Sequence, residues 1–341
     1  MRLRMVPAIT TGLAFTSALA TAVVPLRAAA QSDAPTSGRI AFASHRDGNW
    51  EIYVMNGDGS GPVRITHDAA QDRFPIWSPD GKRLLFGSQR GSGWELWVMN
   101  ADGSEPGRLA TSLAAKAPRG WSPDGAHIVF EKSIDRRASI YTIRPDGSAL
   151  TRLSSEGVDE RSPAWSPDGN SIAFASSSDG NREIYLMNAD GSGRRRLTND
   201  AATDDQPAWS PDGSRIAFWS ERDGNRELYV VTRDGRQLER LTNDPAKDQS
   251  PAWSPDGSSI AFEAVRDRNW DIEVVRLQDR KRTRLTDVPG YDSMHRWSRD
   301  GTRLAFLSQR GDGDRMWVMN ADGGDLRRVT ETAALDPHWS P

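Results

Sequence analysis

Six positions, each five residues ahead of a tryptophan, carry the side chains best placed to do chemistry: Asp72, Lys116, Glu160, Asp204, Asp248 and Asp292, five of them carboxylates. Beside them stand Arg73, Phe74, Arg119, Met294, His295, Arg296 and His338. Carboxylates gathered at one mouth of a channel would focus negative potential there and favour a cationic partner or a metal ion. The alternative is that each acid caps its own loop, which its regular recurrence supports. Phe74, Arg119, Met294 and His295 break the recurrence. Residues that depart from a repeat are better candidates for recognition than residues that keep it. The partner-binding set at the mouth is therefore read as Asp72, Arg73, Phe74, Arg119, Glu160, Asp204, Asp248, Asp292, Met294, His295 and Arg296.

Catalytic constellations are missing. The chain has no Gly-x-Ser-x-Gly elbow, no His-Glu-x-x-His pair and no cysteine, which removes the usual serine, zinc and thiol chemistries. Its five histidines are scattered, and only His295 and His338, each just ahead of a tryptophan, would meet at one end of a channel as a metal candidate. Turns such as Asn188-Ala189-Asp190-Gly191 have the start of a Ca²⁺ loop without its later acidic ligands. The expectation is a protein that binds rather than catalyses, with no catalytic residue, metal or other cofactor. An enzyme of the glycan lyase or hydrolase type, or a small-molecule or glycan sensor, using the same mouth is the alternative.

The elements that must position these side chains repeat. Trp-Ser-Pro-Asp-Gly begins at Trp77, Trp121, Trp165, Trp209 and Trp253, its variant Trp-Ser-Arg-Asp-Gly begins at Trp297, and the chain closes on Trp339-Ser340-Pro341. Five spacings are 44 residues and the last is 42. Each unit reads as four short strands, exemplified by Pro163 to Ser166, Ile172 to Ser176, Glu183 to Asn188 and Arg196 to Thr198, joined by Pro-Asp-Gly, Asp-Gly-Asn and Ala-Asp-Gly-Ser turns. Four strands in such a period make a propeller blade, and blades stacked round an axis bury each other's faces.

The second-strand signature appears seven times, from Ile40 to Leu304, but the first copy lacks its Trp-Ser strand and the last Trp-Ser lacks a follower. The fold is therefore predicted as an all-β, seven-bladed propeller of four-stranded antiparallel blades. Its units lie near 38–76, 77–120, 121–164, 165–208, 209–252, 253–296 and 297–338, with 339–341 completing the first. A tryptophan needed seven times is architecture, so Trp77, Trp121, Trp165, Trp209, Trp253, Trp297 and Trp339 are assigned to packing between blades. Arg64 and its six equivalents are expected to pair across strands with the acids that open the third strand, Glu51, Glu95, Glu183, Glu227 and Asp271.

Met1 to Arg4 is basic, Val6 to Val24 is apolar apart from five Thr and Ser, and Ala28-Ala29-Ala30 suits a signal peptidase. Residues 1–30 read as a signal peptide and 31–37 as a short leader. No later stretch is long enough to cross a bilayer. Loss of Arg2, Arg4 and Arg27 takes the net charge from −3 to −6, which speaks against nucleic acid as a partner. The destination is the periplasm or the medium, and the expected state is a monomer.

The pattern Pro-Ala-Trp-Ser-Pro-Asp-Gly, Ile-Ala-Phe, Glu-Ile-Tyr-x-Met-Asn-Ala-Asp-Gly-Ser, Arg-Leu-Thr, best seen from Pro163 to Thr198, closely resembles the propeller repeat of the TolB type. The resemblance runs from residue 38 to 341, and related repeats resemble the propeller halves of prolyl-oligopeptidase-type peptidases. It implies a docking face for another envelope protein, such as a Pal-like lipoprotein. Two departures from the TolB pattern are expected: seven blades instead of six, and no α/β domain ahead of the propeller.

Overall fold

The computed structural model describes residues 38–111, 118–134, 136–311 and 313–341. The expected signal peptide, the leader and Lys116 lie outside the described residues. Among the described residues, twenty-eight strands form seven four-stranded sheets and there is no helix. Each sheet is an antiparallel meander from an inner strand outward. Blade 2 spans residues 72–110, blade 3 spans 120–152, blade 4 spans 160–196, blade 5 spans 204–240, blade 6 spans 247–284 and blade 7 spans 292–328. Blade 1 takes Arg39–Ser44, Glu51–Asn56 and Val63–Arg64 from the start of the propeller and its inner strand, Ala334–Trp339, from the C-terminus. The three-plus-one closure read from the repeat is present.

The turn after each inner strand shows why its sequence recurs. Ser254 Oγ donates to Asp256 Oδ1 at 2.5 Å and accepts the Ser259 amide at 3.0 Å, while Gly257 takes φ +69°. Serine and aspartate satisfy the turn's polar groups, and glycine adopts a backbone that other residues avoid. The second strand of every blade buries a phenylalanine completely, from Phe42 through Phe174 to Phe306. Five of these face a third-strand aromatic ring with centroids 5.7–6.5 Å apart, beginning with Phe42–Tyr53 and Phe86–Trp97.

Seven apolar clusters each join one blade to the next. Trp77 of blade 2 packs with Ala41, Ala43, Ile52 and Val54 of blade 1, and Trp253 of blade 6 packs with Ala217, Trp219, Leu228 and Val230 of blade 5. Ile40, Phe42 and Trp339 of blade 1 meet Ala305, Met316 and Val318 of blade 7, so the cluster series returns to its start.

The inner tryptophan also carries a polar lock. Its indole Nε1 donates to the carbonyl of the residue before the preceding blade's tryptophan: Trp121 to Ile76, Trp209 to Ala164, Trp253 to Ala208, Trp297 to Ala252 and Trp339 to Arg296, at 3.0–3.3 Å. Trp77 and Trp165 leave Nε1 without such a bond. Arg39, Arg83 and Arg215, each on the preceding blade, cover Trp77, Trp121 and Trp253 at 4.7–5.2 Å from the ring centre.

The outer edge is tied as the sequence suggests. Arg64–Glu51, Arg108–Glu95, Arg196–Glu183, Arg240–Glu227 and Arg284–Asp271 all pair, at 2.5–3.3 Å. In blades 1, 4 and 5 the second carboxylate oxygen accepts from a threonine, such as Thr198 to Glu183 at 2.6 Å.

Deleting Leu335 to Pro341 removes Trp339 and most of the inner strand of blade 1. Burial of a tryptophan alone is worth about 3–5 kcal/mol, so the truncated chain should melt about 10 °C or more below the full chain in calorimetry. Equal melting temperatures would refute the closure.

Candidate functional site

The inner strands line the central channel, and their chemistry follows from a β-bulge. In blades 2, 4, 5, 6, 7 and 1 the pairing with the second strand slips between the residues four and one before the tryptophan. At the bulge Phe74, Ser162, Gln206, Ser250, Met294 and Asp336 take φ of 54–59°, a left-handed conformation in non-glycine residues. Proline follows in five of these strands (Pro75, Pro163, Pro207, Pro251 and Pro337), at a position where no ladder donor is needed. In blade 3 the described part of the inner strand is Gly120–Trp121, and among the described residues its pairing shows no bulge.

The carboxylates that open the inner strands do not line the channel. Asp72, Glu160, Asp204, Asp248 and Asp292 are buried inside their blades. Each meets an arginine. Asp72 pairs with Arg90, Asp204 with Arg222 and Asp292 with Arg310, each eighteen residues on, at 2.7–3.0 Å. Glu160 pairs with Arg194 and Asp248 with Arg282, thirty-four residues on, the latter at 3.1 Å. These arginines also lie over the buried phenylalanines, 4.8–5.9 Å from the ring centres. Burial raises Asp72 and Asp204 above the ordinary carboxylate range, and it pushes Asp248 up to about 7 despite the opposing attraction of Arg282.

The channel mouth is built instead from the residues at and after the bulge. A cavity of about 330 Å³ is lined by Phe74, Ile76, Arg119, Met294, Arg296, Asp336, His338 and the prolines 75, 118 and 337. A second cavity of about 510 Å³ shares Ile76, Arg119 and His338 and continues past Trp121, Trp297 and Arg299 towards the tryptophan end. Of the residues singled out from sequence, the structure brings Phe74, Arg119, Met294 and Arg296 to the first cavity. Arg73 lies behind Phe74, its guanidinium 4.5 Å from that ring and 5.0 Å from Trp50. Asp336, Glu131 and Glu263 were not singled out.

Arg73 binds Asp336 at 3.2 Å, and the Phe74 amide reaches the same carboxylate oxygen at 3.4 Å. Glu131 accepts from Arg119 and from the Ser162 amide, both at 2.7 Å. Glu263 accepts from the Met294 amide at 3.0 Å and from Ser250 Oγ at 3.0 Å. Glu131 and Glu263 stand where Ala43, Gly87 and Ala175 stand in other blades, so aligning the repeats column by column would have exposed them.

His295 and His338 do not share one environment. His338 lines both cavities, and its Nδ1 accepts the Trp77 amide at 3.4 Å. His295 is buried in the wall, in the slot proline fills in five other blades, with no well-formed hydrogen bond to either ring nitrogen. Among the described residues no group of three or more His, Asp and Glu converges as a metal site.

The residues that depart from the repeat share one arc. The three positions before the tryptophan read Ser-Pro-Ala, Gln-Pro-Ala and Ser-Pro-Ala in blades 4, 5 and 6. In the consecutive blades 7, 1, 2 and 3 they read Met-His-Arg, Asp-Pro-His, Phe-Pro-Ile and Pro-Arg-Gly.

The chain matches the family model described as the TolB beta propeller domain over residues 16–162, 160–249 and 242–341. A curated relative, the Tol-Pal system protein TolB of Desulfosudis oleivorans, is 48% identical over 44 residues, 13% of this chain and about a tenth (10%) of that protein's length. TolB from Acinetobacter baumannii is similar in structure, with a TM-score of 0.58 at 21% identity over 90% of this chain and 68% of that one. Oligogalacturonate lyase in complex with manganese gives 0.68 at 16% identity over 86% of each chain. A puromycin hydrolase gives 0.66 at 16% identity over 88% of this chain and 54% of that one. At these identities the structural likeness is one of fold.

Burial, with Arg296 adding to it, holds His295 down to about 4. As pH falls from about 6.5 to 4 the unfolded chain takes up a proton that the fold refuses, and stability drops by up to about 3 kcal/mol. Asp248 acts with the opposite sign, because the fold keeps its proton up to about 7. The histidine's share is isolated by His295→Pro, which restores the residue of the other blades. In urea unfolding the variant's stability relative to the parent should rise steadily from pH 7 to 4.5. A pH-independent difference would show that His295 protonates freely in the fold.

Proposed function

The chain belongs to the TolB beta propeller domain family, and from that premise we propose that it is an exported, non-enzymatic protein-binding module of the cell envelope. Its partner docks at the channel mouth, over blades 7, 1, 2 and 3. The observation that carries this reading is the arc of departures: a scaffold needs only the repeat, and residues that abandon it side by side on four consecutive blades serve something other than the scaffold.

The rim of that arc supplies anchors of the kind interfaces use. Phe74 meets Trp94 with ring centres 5.5 Å apart, and Arg73 lies over Trp50. Met294 and Tyr291 are exposed, and Tyr291 meets Trp270 at 5.5 Å. Aromatic, methionine and arginine side chains on a rigid frame are the usual centres of binding energy. Support for export, to the periplasm or the medium, comes from the basic start, apolar stretch and alanine run of residues 1–30, the pattern of a secretory signal. Among the described residues no helix is long and apolar enough to cross a membrane. The partner this reading favours is an envelope protein such as a Pal-like lipoprotein.

A second reading, an exported enzyme or small-ligand sensor using the same mouth, is favoured by one observation: two arginines, an aspartate and a histidine converge on a cavity of small-molecule size, about 330 Å³.

Interferometry between the propeller and the Pal-like lipoprotein of its own organism tests the first reading. Phe74→Ala with Met294→Ala should weaken binding about tenfold or more, whereas Gln206→Ala on the opposite arc should leave it unchanged. Loss of binding with Gln206→Ala alone, or no binding by the parent, would turn the assignment towards the second reading.

A further inference from the structure

We propose that Arg296 anchors a carboxylate-binding subsite in the mouth cavity, where Arg119 and His338 flank the bound anion and Phe74 and Met294 grip the apolar group beside it. The subsite stands on its own geometry. Only its role in holding a protein partner rests on the docking function proposed above.

The arginines at the cavity are not equally partnered. Asp336 is taken by Arg73 at 3.2 Å, and Arg119 is taken by Glu131 at 2.7 Å. Glu263 is occupied by the Met294 amide, Ser250 and Gln249 at 3.0–3.3 Å. Arg296 has only the longer-range attraction of Glu263 and Asp336. Among the described residues it has no ion pair, and Nη1 donates only to the carbonyl of its neighbour His295, at 2.9 Å. Blades 4, 5 and 6 carry alanine at this position, so the guanidinium adds nothing the ring needs.

The setting also favours an anion. Arg296 is exposed to the channel. The desolvation imposed by the surrounding walls lowers its affinity for its proton against the attraction of Glu263 and Asp336, and Arg119 pushes the same way as desolvation. A guanidinium open to the channel, with no ion pair of its own and another arginine nearby, gains most from a planar, bidentate acceptor, which a carboxylate is. His338 supplies a neutral donor. It resists protonation down to about 4, and because Nδ1 accepts the Trp77 amide, Nε2 carries the proton. Phe74, Met294 and Ile76 complete the lining with apolar surface. The ligand class is therefore a carboxylate next to an apolar group, either an acidic side chain on a peptide segment or a free organic acid.

The exported protein, labelled with ¹³C at its methionine methyls, reports binding through Met294, which lines the cavity. Two pairs of probes are titrated: acetyl-Leu-Glu-Leu-amide against its Gln counterpart, and hexanoate against hexanamide. The carboxylate of at least one pair should shift the Met294 signal saturably and bind about tenfold tighter than its amide. Response to the peptide alone assigns the carboxylate to a polypeptide ligand, and response to hexanoate as well admits free acids. Arg296→Ala, which restores the repeat residue, should erase the discrimination while the other methionine signals keep their positions. Equal binding of acid and amide, discrimination surviving in Arg296→Ala, or no shift by any probe up to about 50 mM would overturn the subsite. Its failure is separable from that of the docking function. Should acid and amide bind alike while the lipoprotein binds, only the subsite falls; should Arg296→Ala bind the lipoprotein as the parent does, only the subsite's role in holding that partner falls; should the lipoprotein not bind while the carboxylates do, only the docking function falls.

Discussion

The indole N–H of an inner-strand tryptophan, donated to a backbone carbonyl of the preceding blade, is the interaction on which the propeller depends. It recurs at five of the seven junctions. A single four-stranded blade exposes two apolar faces and cannot stand alone in water. The tryptophan covers one blade's face with its ring, fixes the register of the next with its N–H, and is itself roofed by an arginine at several junctions. Of the two junctions without the N–H bond, Trp77 lies between two blades of the unusual arc and Trp165 at its edge, between blades 3 and 4. At the first, His338 Nδ1 accepts the Trp77 amide, and at the second the carbonyl partner expected for Trp165 belongs to Gly120 of blade 3.

Because the ring is held between blades, the start of each inner strand is free to hold a charge inward. The buried acids are matched by arginines from either of two places in the blade, eighteen or thirty-four residues on. Where the loop between second and third strands supplies an arginine, as in blades 2, 5 and 7, the fourth strand does not, and in blades 4 and 6 the supply reverses. This exchange marks the pair as structural, since either source neutralises the same acid and covers the same phenylalanine. It also empties the channel mouth of the negative ring that the spacing of the acids suggested. What remains there is a mixed surface on which, among the described residues, Arg296 makes no direct ion pair.

Much of the fold was legible because it is periodic. Blade number, turn chemistry, the C-terminal strand closing blade 1 and the pairing of Arg64 and its equivalents with third-strand acids all follow from residues that recur. The site was legible only in part, because it consists of what does not recur. Phe74, Arg119 and Met294 stood out as departures, and they meet in one cavity with Arg296, which the site set included as a neighbour. His295 stood out as well, but the bulge turns it into the wall, to the place of a buried proline. Asp336, Glu131 and Glu263 went unnoticed because two lie in second strands, away from the loops expected to matter, and the third sits in the shortened last repeat. In blade 3, buried Pro118 lies one residue before the prolines of the other inner strands, and Arg119 is exposed to the channel. A one-residue shift of this kind exchanges inward and outward faces, and spacing alone does not reveal it.

The most direct measurement is the hydrogen-exchange footprint of the Pal-like lipoprotein on the propeller. Slowed exchange should fall on residues 73–77, 118–121, 293–297 and 335–339, with 161–165, 205–209 and 249–253 unaffected. That result would place the partner on the arc where the repeat is broken. Protection spread evenly round the ring, or confined to blades 4, 5 and 6 or to the outer strands, would contradict it and return the departures in blades 7, 1, 2 and 3 to the architecture of the ring.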